Sequence, residues 1–571
     1  MFAQIKRFFL NRIAHQLGVE PPQHEVVVTT DIAIPMSDGV TLYANHYAPQ
    51  DSGDFSTVLI RSPWGRGWRN LPFSFLYAYV AHRFAERGYH VILQDLRTGA
   101  DKPETDAMPL ENEQTDGRDT LRWLTQQSWF NGKLGLWGAS ILGYVQWAAL
   151  AGGLPQGGTP IHTVAMVPAT TATRWFSMVH PSGVLALDSL FRLQYTAAVA
   201  GLPFFKMMGA MMQQEKVMTE WLNHLPISEA MQSIPKVDGF AFERMMQLDD
   251  LNAPDWQKID LKGSLQQHPA KVHLVAGWFD LFLPEQLDDY QTLYQAGKQP
   301  HLTIGPWHHL DQDLGSNAIR IGLTWFDTHL KGDSLAEKPV TVFVQGSDRW
   351  QELDEWPPQT DSQTLFLSQQ NQLVATSPTY DEAADHYRYD PLDPTPSLGG
   401  AVINPKPGQQ DNREIEARAD VLIYETDVLD QDLEIIGTPT VTLFVTSSLQ
   451  HTDFFVRICD VQPDGRSLNV TDNLVRLMLP ENHQTGKQVT GKHEVEIRLW
   501  PTAYRFAKGH RIRVQIASGA HPRWNRNLGT GEPAFSGTAA KVAEQAITHG
   551  AAYPSRIVLP VYSLSNNQLR H

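Results

Sequence analysis

Cysteine is nearly missing from this chain. Cys459 stands alone among 571 residues, which excludes an internal disulfide framework and any cysteine-rich zinc site. Long apolar runs are missing as well: no stretch of about 18 or more apolar residues occurs, so no membrane-spanning helix is expected. Nor is there an excess of positive charge. The formal net charge is −16, with the acidic residues spread along the chain, which argues against a nucleic-acid partner and for plain solubility. Repeats of fixed period and low-complexity tracts are absent. The lone cysteine suits a reducing compartment, and a cytoplasmic location is the expectation.

What is present is an ordinary globular composition, 42% hydrophobic and 19% charged. The length is too great for one core, so two or three domains are expected. The first residues form a short arm over 1–20. Phe2, Ile5, Phe9, Ile13 and Leu17 mark one helical face, with Lys6, Arg7 and Arg12 elsewhere. Asn11 and Arg12 break the apolar stretch too early for a signal peptide. Such an arm either docks on the protein's own body or rests peripherally on a membrane surface.

From residue 21 to 173 strands alternate with helices. Glu25–Pro35 and Val40–Tyr47 read as a hairpin, Thr57–Arg61 and His90–Asp95 as buried strands, and Asp116–Gln127 as a helix. That alternation implies a mostly parallel sheet, whose reactive groups gather at the strands' carboxyl ends. Residues 174–262 change character, rich in Met, Phe and Leu at helical spacings without strand-like runs, and read as an inserted helical cap. The sheet pattern resumes over 263–338, with strands Lys271–Gly277 and His301–Gly305 and a closing helix Leu323–Leu330. From 339 to 571 short alternating strands punctuated by Gly, Pro and Asp predict an all-β sandwich of jelly-roll type.

Three residues stand at the ends of predicted strands. Ser140 lies in Gly138-Ala139-Ser140-Ile141-Leu142-Gly143, between a short apolar strand and a helix. A turn sharp enough to lift a side chain above the sheet needs small neighbours. The usual pattern is G-x-S-x-G, and here the second glycine comes one residue late. Asp280 follows the strand ending Gly277-Trp278-Phe279, and His309 follows Gly305-Pro306-Trp307-His308. Ser, then Asp, then His is the chain order of α/β-hydrolases. In that arrangement His309 takes the proton of Ser140 and Asp280 orients the imidazole. Each member also has a plain structural reading: Asp280 as a helix cap, His309 as a core histidine with His308 competing for its role.

These stretches carry a resemblance. With Arg61-Ser62-Pro63-Trp64-Gly65-Arg66, Gln94-Asp95-Leu96-Arg97, Asn131-Gly132-Lys133 and, in the β region, Thr452-Asp453-Phe454, Asp460–Arg466 and Gly509–Val514, the chain resembles the cocaine esterase and α-amino acid ester hydrolase family (CocE/NonD hydrolases), related to the X-prolyl dipeptidyl peptidases. The resemblance implies an α/β-hydrolase domain, a helical cap and a jelly roll. It puts the nucleophile on Ser140, the acid on Asp280 and the base on His309. It also implies an oxyanion hole made by the N–H of Ile141 and a tyrosine hydroxyl, and here that tyrosine position is Trp64. Three readings follow: the Trp64 indole donates, the Gly65 N–H substitutes, or activity is weak. Phe282 and Trp175 match positions that line the acyl pocket, with aromatic core packing as the alternative. Asp95 and Arg97 read as a structural ion pair or turn, and Asp116 and Asp119 as helix caps.

The expected activity is a serine hydrolase cleaving a small-acyl ester or amide through an acyl-enzyme. The alternatives are an X-prolyl dipeptidyl peptidase or aminoacyl amidase, an acyltransferase using an acceptor other than water, and a hydrolase frame kept as a binding module. A peptidase needs a carboxylate for a free α-ammonium, for which Asp188, Glu215, Glu220, Asp238 and Glu243 are candidates. His308, His309, Asp311 and Asp313 are too weak a pattern for a metal site. No metal and no cofactor is expected. The expected partner is a small ester or amide substrate, and the oligomeric state is left open.

Overall fold

A computed structural model of the protein describes residues 21–66, 73–97, 110–200, 202–234, 242–335, 337–479 and 491–563. The N-terminal arm and Asp238 lie outside the described residues.

A ten-stranded sheet forms the centre of the first domain. Its strands are β1 (Val26–Pro35), β2 (Thr41–Pro49), β3 (Ser56–Ser62), β4 (Tyr89–Asp95), β5 (Lys133–Ala139), β6 (Thr163–Ala169), β7 (Lys271–Phe279), β8 (His301–His308), β9 (Val340–Val344) and β10 (Arg349–Leu353). Their order is β1-β2-β4-β3-β5-β6-β7-β8-β9-β10. The strands from β4 to β9 pair in parallel, and antiparallel partners flank them at both edges. The inner strands are buried almost throughout, as a parallel sheet covered by helices on both faces requires. β9 and β10 correct the expected boundary at 338/339. Val340 to Val342 pair with Leu302 to Ile304 of β8, so the hydrolase sheet runs on to Leu353. The alternating run Val340-Thr341-Val342-Phe343-Val344 suits a half-buried strand in either domain, and alternation alone does not say which sheet it joins.

Between β6 and β7 the described chain is helical. Its longest pieces are Leu187–Ala200 and Phe204–Asn223. The helix after β8 runs over Gln312–Phe326, starting well before the expected Leu323, with Asp311 accepting the Asp313 N–H as its cap. The expected capping by Asp116 and Asp119 is also corrected. Both sit inside the helix Glu113–Leu124, where Asp116 binds Arg97 at 2.7 Å and Asp119 accepts the Ser37 N–H at 2.7 Å. Asp95 and Arg97 do not pair with each other. Asp95 holds Arg66 at 2.7 Å, and Arg97 bridges Asp116 and Asp38.

Thirteen further strands, from Asp361 to Val561, form the β domain. They are antiparallel apart from one short pairing, and enclose a core that includes Leu367, Tyr424, Val441, Ile458 and Val514.

Candidate active site

The turn after β5 is built from small residues for a steric reason. Ser140 N–H donates to the Ala169 carbonyl at 2.9 Å, as the last rung of the β5–β6 pairing, and the chain then turns at once into the helix Ile141–Ala151. To do so Ser140 takes φ 57° and ψ −126°, a strained conformation for a residue with a side chain. A Cβ on Gly138 would lie 2.4 Å from Leu142 Cβ, and one on Gly143 would lie 2.4 Å from Thr171 Cγ2. The late second glycine therefore serves the close approach of the helix to the loop after β6. Lifted in this way, Ser140 Oγ stands at a helix N-terminus, where the N–H of Ile141 has no carbonyl within the helix to bond.

β7 and β8 deliver the other two side chains. Their register pairs Phe279 with His308, so the next residues, Asp280 and His309, leave the sheet side by side. Between the Gly277–Gly305 and Phe279–His308 rungs β7 advances two residues and β8 three, so β8 carries the extra residue of a bulge just before His309. Asp280 is fully buried and uses both oxygens: Oδ1 accepts the Phe282 N–H at 2.8 Å, and Oδ2 accepts from His309 Nδ1 at 2.6 Å. The cap-like contact and the histidine contact thus coexist. On its other side His309 Nε2 lies 3.1 Å from Ser140 Oγ. His308 turns away, its Nδ1 accepting the Leu310 N–H at 3.3 Å and its Nε2 3.9 Å from Asp311. Among the described residues no group of three or more His, Cys, Asp or Glu is placed to share a metal ion.

A cavity of about 50 Å³ opens beside Ser140. Trp64, Ile141, Trp175 and Phe282 line it, so the seven residues read as triad, oxyanion hole and acyl pocket lie at one place. Phe282 links the walls, with ring centroids 5.5 Å from Trp175 and 5.7 Å from His309. The sequence reading missed Met178, Leu193, Ala197 and Leu281, which complete the walls. Leu193 and Ala197 are four residues apart on one helix face, but nothing in a single sequence tells which cap face looks down on the serine. A larger cavity, about 430 Å³, lies beyond Leu281 at the junction with the β domain and contains neither Ser140 nor His309.

None of the described cap acids lines the Ser140 cavity. Asp188 binds Arg192 and Asn404, Glu215 binds Arg192, Glu220 is exposed, and Glu243 is partly exposed beside Gln247.

A serine at a strand-to-helix turn, a buried aspartate–histidine pair at the next strand ends, a helical cap and a β sandwich define an α/β-hydrolase of the two-domain kind. Sequence comparison narrows the class. The chain belongs to the cocaine esterase family: it is 30% identical to the cocaine esterase of Rhodococcus sp. (strain MB1 Bresler), over 94% of this chain and 98% of that one. The profile of the X-Pro dipeptidyl-peptidase (S15 family) matches residues 38–311, and that of the X-Pro dipeptidyl-peptidase C-terminal non-catalytic domain matches residues 335–558. Solved structures share the fold. An aminopeptidase from the marine sediment archaeon Thaumarchaeota archaeon superposes with a TM-score of 0.73 at 22% identity, covering 95% of this chain and 97% of its own. An α-amino acid ester hydrolase gives 0.70 at 22% identity, over 95% and 98%. The protein is a serine hydrolase of esters or amides.

Proposed function

We propose that the chain hydrolyses esters of small, uncharged acyl groups through an acyl-enzyme on Ser140. His309 takes the proton of Ser140 Oγ as the oxygen attacks the acyl carbon. The tetrahedral intermediate places its oxyanion at the N–H of Ile141, with Trp64 as the second donor. His309 then protonates the leaving alcohol, and a water activated by the same imidazole releases the acid. Asp280 keeps Nδ1 protonated and stabilises the imidazolium. Neither a metal nor a cofactor is part of this reading.

The observation that carries the acyl preference is the lining of the cavity. Its walls are aromatic and aliphatic, and among the described residues no carboxylate faces it to hold an α-ammonium group. An ammonium group brought into such a pocket would lose its hydration without a counter-charge. The S15 match favours a second reading, X-Pro dipeptidyl peptidase activity, and one substrate panel separates the two. Hydrolysis of p-nitrophenyl acetate and butyrate, phenylglycine methyl ester and Gly-Pro-p-nitroanilide is measured for wild type and Ser140→Ala. Serine-dependent turnover of the p-nitrophenyl esters with Gly-Pro-p-nitroanilide untouched is expected. Cleavage of the anilide would transfer the assignment to the peptidase. In the same panel Trp64→Phe removes the indole N–H but keeps a ring, and is expected to lower kcat by about 10²-fold or more, the usual effect of losing one oxyanion donor. An unchanged kcat would remove Trp64 from the oxyanion hole.

A further inference from the structure

Two walls of the Ser140 cavity, Leu193 and Ala197, come from the cap helix Leu187–Ala200. A buried carboxylate in the first turn of that helix fixes where it sits. Asp188 is 1% exposed. Its Oδ1 accepts from Arg192 Nε at 2.6 Å, its Oδ2 accepts from Asn404 Nδ2 at 2.9 Å, and its backbone N–H donates to the Pro522 carbonyl at 2.9 Å. Arg192 continues to the next cap helix, its Nη2 donating to Glu215 at 3.0 Å. One side chain thus ties the cavity's wall to the rest of the cap through Arg192 and to the β domain through Asn404.

The β domain offers Asn404 from a braced segment. Arg457, Asp472 and Arg523 form a buried triad, with Asp472 Oδ2 2.7 Å from Arg457 Nη2 and Oδ1 2.6 Å from Arg523 Nη1. Two cations share one carboxylate there, so the remaining donors must find other partners. Arg457 Nη1 supplies the brace: it donates to the Leu398 carbonyl at 2.8 Å and to Asn412 Oδ1 at 2.5 Å, the two ends of the segment that carries Asn404. Within it, Gly400 and Gly408 exchange backbone hydrogen bonds of 2.7 and 3.0 Å. Gly408 packs against Phe279, the residue before Asp280.

We infer that Asp188 is a specificity-determining positioning residue: held by Asn404, it sets the depth of helix Leu187–Ala200 and keeps the acyl cavity small, so that the β domain limits acyl size without touching substrate. The inference rests on reading the Ser140 cavity as the acyl pocket. It also gives Asp188 a role other than binding a substrate ammonium group.

The test compares kcat/KM for p-nitrophenyl acetate, butyrate and hexanoate in wild type, Asp188→Asn and Asn404→Ala, with Tm measured alongside. The wild type is expected to favour acetate. In both variants the acetate-to-hexanoate ratio is expected to fall by about 5-fold or more, through a lower KM for hexanoate, a change comparable to the discrimination a pocket makes between acyl groups differing in length. A general loss of stability would lower Tm and leave the ratio in place. An unchanged ratio in Asn404→Ala, which removes only a partly buried amide and carries the test if Asp188→Asn does not fold, overturns the inference. If wild-type turnover does not require Ser140, the reading of the pocket fails; if it does and the ratio stays fixed, the positioning role alone fails.

Discussion

Ser140 is legible from the sequence because its neighbours have to be small, and Asp280 and His309 because each follows an apolar strand. Their proximity depends on one more fact, that β7 and β8 are parallel neighbours in register. A strand–helix–strand order implies this. The roles of Asp116 and Asp119 were not legible, since their partners Arg97 and Ser37 come from distant loops. The same holds for Asp188, whose partner Asn404 lies 216 residues away. Unequal losses are expected within the triad. Asp280→Asn keeps the shape but offers His309 a different hydrogen-bond partner, and kcat should fall by about 10⁴-fold. Ser140→Ala should cost about 10⁶-fold, leaving the residual catalysis of binding and the oxyanion site. Stopped-assay kinetics on p-nitrophenyl acetate measure both, and a loss under 10-fold in either would remove that residue from the mechanism.

Elements were more legible than boundaries. The helical stretch after β6 stands out because Met, Phe and Leu recur there without alternation, and the described residues between β6 and β7 contain only helices. The end of the first domain was misplaced because β9 has the alternating pattern of a sandwich strand and joins the hydrolase sheet through main-chain pairing. The turn at Ser140 gives the prediction at this scale. In Gly138→Ala the new methyl would meet the Cβ and the carbonyl of Leu142 at 2.4 and 2.7 Å. Part of that contact is backbone, which cannot rotate away, so the turn has to open. A loss of stability of about 1–3 kcal/mol is expected, with a fall in kcat larger than that destabilisation explains because Ser140 Oγ is displaced. Urea unfolding and kcat measured on the same preparation check this, and full activity in a destabilised variant would contradict it.

Across the whole molecule, buried histidines set the acid limit of the fold. Burial holds His46, His268 and His301 down at about 4 and His521 at about 3, pushes His273 well below its ordinary value, and lowers His90, His180 and His329 as well. In the unfolded chain each returns to about 6.5. Between those values the unfolded chain binds more protons, so stability falls as the pH drops from about 6.5 towards 4. Four carboxyls oppose this: burial raises Asp95 and Asp289 to about 6 and Glu113 to about 7, and raises Asp460 as well, so they keep protons in the fold that the unfolded chain releases. Among the described residues eight histidines act against four acids, each of which also has a basic side chain beside it. Tm is therefore expected to fall steadily from pH 6.5 to 4, and His301→Gln to flatten that fall. A Tm independent of pH over this range would contradict the balance.

The passage of the acyl group through Ser140 underlies every step of the mechanism. It is tested most directly by exposing the folded protein to a fluorophosphonate probe and locating the adduct by peptide mass spectrometry. One adduct on the peptide carrying Ser140, and none in Ser140→Ala, is expected. Equal labelling of wild type and Ser140→Ala, or an adduct on another serine, would contradict passage through Ser140.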